Sequence, residues 1–411
     1  MTASSKSVRN GNQIVSFGIL LFMGLNFFSN VINILPVGLY YRFLLVIEIV
    51  LILMSLSNRY VMYKREAFNV VFIVIVQIIA YITTLIMEDY FCFDIHRLLM
   101  MVLMIIALFY NAKNMHITNK SFEQIMSWML MASIVAILYN FYMNSSYILP
   151  FNLSRMMYYT DRMKGIFLTR SNYCYVLCIG VAICIYRFKK NKGFYGILFI
   201  VLLGNIVLTN ARTSLIAVSL MLVYEIWHSQ YNRKLKHILI IIFLIMTLVF
   251  IPWERVLDSL GYLGKTYELL FTRNEGGISS GRFDLWKLAI DDTNIVSFFI
   301  GHGIGSKDAY LDFLHMGIGS FHSLYVDLFY EGGILLLILF GYYYAIMIFQ
   351  IKKSGLDFKT KKLFYEIYVM TLFAGIGDAI ASPFMLDTAS VLSTLLLFTL
   401  PIALINGTSK F

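Results

Sequence analysis

Apolar runs of roughly 17 to 25 residues recur from one end of this sequence to the other, each able to cross about 30 Å of hydrocarbon as an α-helix. No other feature constrains the fold as strongly. Within a bilayer every backbone N–H and C=O must be satisfied by the protein itself, which leaves helices and closed barrels. A barrel would show alternating segments of about ten residues, and these runs do not alternate. Only 14% of the 411 residues are charged and 59% are hydrophobic, against about 25% charged in soluble domains. The expected fold is an all-α polytopic membrane protein, a single integral membrane domain over residues 1–411. About 12 transmembrane helices are expected, near 14–35, 39–56, 67–87, 93–111, 123–143, 172–186, 194–210, 212–228, 237–253, 332–350, 364–382 and 386–405.

The net charge of +10 lies in short clusters between the apolar runs, not along one face. Anionic lipid headgroups explain that distribution better than a nucleic-acid partner. With the N-terminus placed in the cytoplasm, every inward connection is basic. The clusters are Lys6/Arg9, Arg59/Lys64/Arg65, Lys113/Lys120, Arg187/Lys189/Lys190/Lys192, Arg233/Lys234/Lys236, Lys352/Lys353/Lys359/Lys361/Lys362 and Lys410. They hold most of the 33 lysines and arginines, so both termini are expected to be cytoplasmic. The first apolar run follows Lys6 and Arg9 and reads as a first span, not a cleavable signal. Cys92, Cys174, Cys178 and Cys184, three of them in one expected span, form neither a disulfide framework nor a zinc site.

Two outward connections exceed ordinary connectors: a shorter extracytoplasmic loop at 144–171 and a large one at 254–331. Loops of this length are usually functional, and the inward loops are short, so the working face is expected outside. The large loop reads as carrying short helices, one around Phe283–Ile290, and its end from His322 to Tyr330 is apolar enough to lie at the membrane surface.

Short outward connections ordinarily avoid arginine, so the basic residues on that side need a reason. Arg162-Met163-Lys164-Gly165 and Arg170-Ser171-Asn172 stand at the mouth of the sixth span. They suit an anion such as a diphosphate, which arginine binds bidentately, or they snorkel at the interface. Arg212, in Leu208-Thr209-Asn210-Ala211-Arg212-Thr213-Ser214, lies in a turn too short to hold it far from the bilayer, so it needs an anion, a water-filled cavity or snorkelling. It also sits near a helix N-terminus, where free N–H groups favour anions. Arg282, in Ser280-Gly281-Arg282-Phe283-Asp284-Leu285-Trp286, is either another phosphate ligand or the partner of a loop carboxylate. Gly301-His302-Gly303-Ile304-Gly305 follows no βαβ pattern and is not a dinucleotide fingerprint. His322, in His322-Ser323-Leu324-Tyr325, opens an apolar surface segment that runs to the flexible turn Glu331-Gly332-Gly333. Its imidazole could accept a proton near neutral pH or be structural. His302, His315 and His322 lack metal-ligand spacing, and no metal or cofactor is expected. Glu48 and Asp378 fall inside expected spans and stay unassigned between proton movement and helix pairing.

In their order these blocks resemble the O-antigen polymerase/ligase family (Wzy/WaaL-like). The Arg-x-x-Gly-x-Phe…Asn stretch is matched by Arg162, Gly165, Phe167 and Asn172. The Leu-Thr-x-x-Arg turn is matched by Leu208, Thr209 and Arg212, and the Ser-Gly-Arg…Trp helix start by Ser280, Gly281, Arg282 and Trp286. The Gly-x-Gly loop and the His-Asn/Ser pair followed by Gly are matched by Gly301, Gly303, His322, Ser323 and Gly333. The likeness covers about 160–340; before residue 140 it extends only to apolar spans. Thr169-Arg170-Ser171 replaces the family's usual Asn-Pro, and Leu336 stands where the ligase pattern has Gly, Thr or Tyr, which favours a polymerase.

The resemblance implies a glycosyltransferase of the bacterial cytoplasmic (inner) membrane with its active face outside. It would join polyprenyl-diphosphate-linked (undecaprenyl-type) oligosaccharide repeat units into an O-antigen or capsule polysaccharide, with inversion and without a metal. By that resemblance Arg212 and Arg282 bind the diphosphate, Arg162 and Arg170 assist, and His322 is the acceptor base or positions the acceptor. Membrane lipid, a chain-length regulator and a flippase are the implied partners. A ligase of the same family and a lipid-linked oligosaccharide flippase or transporter are the alternatives. A transporter would be expected to gather its unusual residues at the midplane.

Overall fold

The computed structural model describes residues 64–87, 117–144, 170–209, 211–228, 282–316, 318–377 and 395–408. Every regular element among them is helical. In chain order they are α1 (Lys64–Met87), α2 (Asn119–Met143), α3 (Arg170–Arg187), α4 (Lys192–Leu208) and α5 (Arg212–Trp227). Three short helices follow, α6 (Arg282–Asp291), α7 (Ile295–Ile300) and α8 (Ser306–Phe313). The long α9 (Leu324–Lys353) and α10 (Phe358–Gly377) precede a π-helical turn (Leu395–Thr399) that runs into α11 (Leu400–Thr408). The expected spans at 67–87, 123–143, 172–186, 194–210, 212–228, 332–350, 364–382 and 386–405 fall on or overlap α1 to α5 and α9 to α11. Those at 14–35, 39–56, 93–111 and 237–253 lie outside the described residues.

α2 and α9 are long and apolar enough to cross a membrane, and 74–86, 192–208, 213–227 and 396–408 are shorter apolar helices. Their surfaces point the same way. α1 exposes Ile75, Ile78, Ile79, Ile82, Leu85 and Ile86, and α2 exposes Trp128, Met131, Leu138 and Tyr142. Apolar stripes of this extent are not left facing water by soluble monomers, and the helices are compatible with membrane insertion.

α3 is the axis of the bundle. From Tyr173 to Cys184 its residues are buried, packed by α2, α4, α5 and α10. Polar side chains on this apolar axis are satisfied between helices, as burial requires. Ser133 donates to Val176 O (3.2 Å), and the Tyr175 and Thr371 hydroxyls meet at 2.9 Å.

The two ends of the bundle differ. One gathers the start of α2, the ends of α3 and α5 and the start of α10. There Glu123 pairs with Arg187 and Lys190 (both 2.8 Å) and Glu225 with Lys362 (2.5 Å). Lys359 lies over the Tyr186 ring, 4.3 Å from its centroid. The other end gathers the starts of α3 and α5, the last turns of α1 and α10, and the segment 282–332.

Within that segment α7 is opened by a reciprocal cap: Asn294 accepts from Ser297 N–H, and Ser297 Oγ accepts from Asn294 N–H. α9 is broken at Gly333 (φ 62, ψ −168), a backbone shape essentially confined to glycine. It is therefore a short helix at 324–332 joined to a membrane-length helix at 334–353. The Glu331-Gly332-Gly333 turn read from the sequence as flexible is this rigid kink. A Cβ at Gly333 would run into the backbone of Phe299 and Ile300, and one at Gly301 into that of Glu331 and Gly332.

Candidate functional site

The expected site residues distribute as follows. Arg170 opens α3 and donates from Nη1 to Thr209 O (3.4 Å) at the end of α4. Thr209 is held by Ile206 O (2.7 Å) and the Cys174 thiol (2.9 Å). Three residues on, α5 begins at Arg212, with Ala211 at its N-cap. Alanine supplies no capping side chain, and the N–H groups at a helix start favour an anion.

Arg282 opens α6. Its guanidinium reaches the last residue of α10, where a Cβ built on Gly377 would lie 2.6 Å from Arg282 Nη1 and collide with the Thr213 side chain. Gly377 thus lets Arg282 approach the residue next to Arg212. The arginine blocks at 208–214 and 280–286, some seventy positions apart in sequence, meet at this point. Arg162, Ser280, Gly281, Glu48 and Asp378 lie outside the described residues.

His322 is exposed, in a left-handed conformation (φ 55) that non-glycine residues seldom adopt. Two connections tie its turn to Arg282. Trp286 on α6 donates from Nε1 to Phe321 O (3.0 Å). Leu285, Ala289, Tyr310, Leu311, Phe321 and Tyr330 also form a small core of their own. The helix after His322 rests on α10 through Tyr325, whose hydroxyl donates to Leu372 O (2.7 Å). The last turns of α10 therefore touch both the Arg282 helix and the His322 helix.

Behind this face lies a polar layer that joins His302 and Glu331, named in the sequence, to Asp292, Lys307 and Asp327, which were not. His302 is 1% exposed and stacks on Tyr330 at 4.5 Å. The Tyr330 hydroxyl donates to Asp292 (2.6 Å), which is 3.8 Å from His302 Nε2. Burial pushes the His302 imidazole below its usual pKa, with Asp292 opposing. Lys307 Nζ meets Glu331 at 3.1 Å and Asp327 at 3.7 Å. Burial works against the Lys307 charge, but Glu331, Asp327 and Asp308 outweigh it and hold the ammonium above its usual range. Burial, with Glu331 beside it, pushes the Asp327 carboxyl up to about 6, opposed by Lys307, Ser320 and the Phe321 N–H.

α1 closes this layer from the side. Tyr81 donates to Ile304 O (2.6 Å), Thr84 to His302 O (2.8 Å), and Gln77 Oε1 accepts from Ile304 N–H (2.9 Å). A signal for these groups was present in the sequence. Gln77, Tyr81 and Thr84 lie on one face of an otherwise apolar helix, and Asp327 and Glu331 are four apart in an otherwise apolar stretch.

Among the described residues no group of three His, Cys, Asp or Glu side chains is placed to hold a metal ion. The chemistry on offer is a guanidinium beside a helix N-terminus, both favouring negative charge, and an exposed imidazole on the same end. Residues 197–341 match the family model Wzy_C, O-antigen ligase. The match is consistent with a Wzy/WaaL-like chain. It runs from α4 into α9 and includes Arg212, Arg282 and His322, while Arg162 and Arg170 precede it. This is a bacterial membrane family of glycosyltransferase-like enzymes that act on lipid-linked glycans. No curated protein matches the chain.

Proposed function

We propose that this chain is a repeat-unit polymerase of the bacterial cytoplasmic membrane, with about a dozen spans and the Arg282/His322 end facing outward. The shorter loop at 144–171 and the large one at 254–331 then lie outside, the latter as the cover of the site. The substrates are two polyprenyl-diphosphate-linked oligosaccharides. An acceptor sugar hydroxyl attacks the anomeric carbon of the donor. The carbon–oxygen bond to the diphosphate breaks, the configuration inverts, and lipid diphosphate leaves with the bonding electrons.

Arg282 and Arg212 meet the charge that grows on that leaving group, with the N–H groups at the start of α5 adding to them. Arg170 and Arg162 are outer contacts to the same diphosphate. His322 takes the acceptor hydroxyl's proton. The observation carrying this reading is the Arg282 guanidinium beside Thr213 at the start of α5, on the same end as His322 and within a segment that matches a lipid-linked glycan family.

The family's description as O-antigen ligase favours a second reading. In it the same chemistry serves a different final acceptor, while Leu336 favours the polymerase. Purified protein in phospholipid vesicles, given only polyprenyl-diphosphate-linked repeat units, separates the two. Ladders of polymer without a further acceptor support the polymerase. Transfer that waits for a lipid-anchored glycan acceptor shows a ligase. Movement of the lipid-linked unit across the bilayer with no new glycosidic bond overturns both in favour of a flippase.

A further inference from the structure

Asp327 is fully buried on the first turn of the helix that follows His322, yet it faces backward along the chain. Its Oδ1 accepts the Phe321 N–H (2.9 Å) and its Oδ2 accepts the Ser320 hydroxyl (2.8 Å). Ser320 Oγ in turn accepts the His322 N–H (2.9 Å). The hydroxyl is donor to one partner and acceptor to the other, so a single chain of contacts runs from the Asp327 carboxylate through Ser320 to the His322 backbone. Lys307 supplies the balancing charge at 3.7 Å and is itself held by Glu331, which also accepts the Gly305 N–H (2.9 Å).

The helix makes no use of the side chain that ordinarily caps such a start. Ser323 is the N-cap residue but forms no side-chain capping bond. A carboxylate in the first turn would stabilise the helix dipole from the surface with no desolvation cost. Here it is buried, and a buried charge is tolerated only when its lone pairs are used. They are used on the turn that carries His322. That turn is strained, because His322 sits at φ 55, and a residue in that region persists only where its surroundings over-determine it.

We propose that Asp327, backed by Lys307 and acting through Ser320, is the positioning residue of His322: it fixes the left-handed turn that presents the imidazole to the acceptor. The proposal rests on the reading of His322 as the acceptor-side group. Asp327 itself touches neither substrate. A misplacement of about 1 Å at a reacting group can cost about a hundredfold in rate, so the clamp bears on turnover more than on donor binding.

The test uses the full chain in phospholipid vesicles with polyprenyl-diphosphate-linked repeat units, and Asp327→Asn, Ser320→Ala, His322→Ala and the Asp327→Asn/His322→Ala double variant. Asp327→Asn is expected to lower kcat about 10- to 100-fold, with the donor KM within about threefold of wild type. Ser320→Ala, which takes the hydroxyl from both the Asp327 carboxylate and the His322 N–H but keeps the carboxylate itself, is expected to lower kcat about fivefold. The double variant should be no slower than His322→Ala, because the two residues act as a unit.

A second readout needs no turnover. The rate of His322 carbethoxylation by diethylpyrocarbonate, mapped by mass spectrometry, should change about threefold or more in Asp327→Asn and Ser320→Ala. Where His322→Ala lowers kcat, wild-type kcat in Asp327→Asn or losses that multiply in the double variant would overturn the proposal, and an unchanged carbethoxylation rate in both single variants would overturn it in any case. If His322→Ala keeps wild-type turnover while Asp327→Asn alters carbethoxylation, the positioning of the turn stands and the base role of His322 falls.

Discussion

The two ends of the bundle use charge for different purposes. At the end where α2 starts and α3 finishes, carboxylates and cations pair between long helices, and most of these groups keep some contact with solvent. Glu123 draws in Tyr186, Arg187 and Lys190, and Arg187 also donates to Ser127 (2.8 Å). At the opposite end Asp327, Glu331 and His302 are buried: the two carboxylates accept loop backbone N–H groups and share Lys307, and His302 faces Asp292. The strain is divided just as unevenly. Among the described residues, every positive φ outside the ordinary range lies between 301 and 333: Gly301, Gly303, Gly305, His315, His322 and Gly333. Helix staples need no unusual backbone, whereas a site that must aim particular side chains does, and strained backbone gathers at such sites.

The sharpest way to break this contrast is to remove charge at the strained end. Arg282→Ala should lower glycan transfer by about 10²- to 10³-fold at normal membrane abundance, with Arg282→Lys recovering part of it. Near-wild-type turnover in Arg282→Ala, measured with lipid-linked repeat units, would remove the guanidinium from the reaction. Next in size is Gly333→Ala. A side chain there is forced into a glycine-only backbone region and against Phe299, which should cost about 2–3 kcal/mol in denaturant unfolding of the detergent-solubilised protein. Gly355→Ala, at the paired end with open space around it, should stay within about 0.5 kcal/mol of wild type in the same experiment.

Glu123→Gln should cost about 1 kcal/mol, since the pair is partly solvated, and leave turnover per folded molecule unchanged. A fall in turnover would mean that the two ends communicate. The smallest effect is on pH dependence. The folded pKa of His302 is depressed, so the unfolded chain takes up that proton at higher pH than the folded one. This contribution to stability is complete above the unfolded value of about 6.5 and is lost as pH falls through the folded value. Asp327, raised to about 6, works in the opposite sense below that pH. Melting temperatures between pH 6 and 7 should therefore decline on acidification in wild type and less so in His302→Phe, which keeps the ring on Tyr330.

Much of the architecture was legible because hydropathy reports burial in lipid directly. The helix containing 123–143 begins only a few residues earlier, at Asn119, where Thr118 caps it by accepting the Ser121 N–H. The arginine blocks were visible as well, since an arginine in a short turn between apolar runs is conspicuous. Their meeting was not, because it depends on the α5–α10 packing and on the missing side chain at Gly377. The polar layer around Asp327 escaped for a related reason. Each member looks ordinary in its own segment, and the partners of the 301–305 backbone on α1 lie more than two hundred residues away. His302 passed as one more residue in a glycine-rich loop, whereas it is the buried histidine of this end, with His315 and His322 exposed.

The backbone contact between 299–301 and 331–333 has a mechanical side. Two chains that touch through glycines, reinforced by His302 N–H to Tyr330 O (2.8 Å) and Gly303 N–H to Glu331 O (3.0 Å), have no side chains between them to act as bearings. The membrane-length helix after Gly333 and the Gly301–Gly305 loop must then swing as one lever. A tilt of that helix carries His302 and the loop with it. α6 is tied to the same unit through Leu285, Ala289 and Tyr330, and meets α10 through the tip of Arg282.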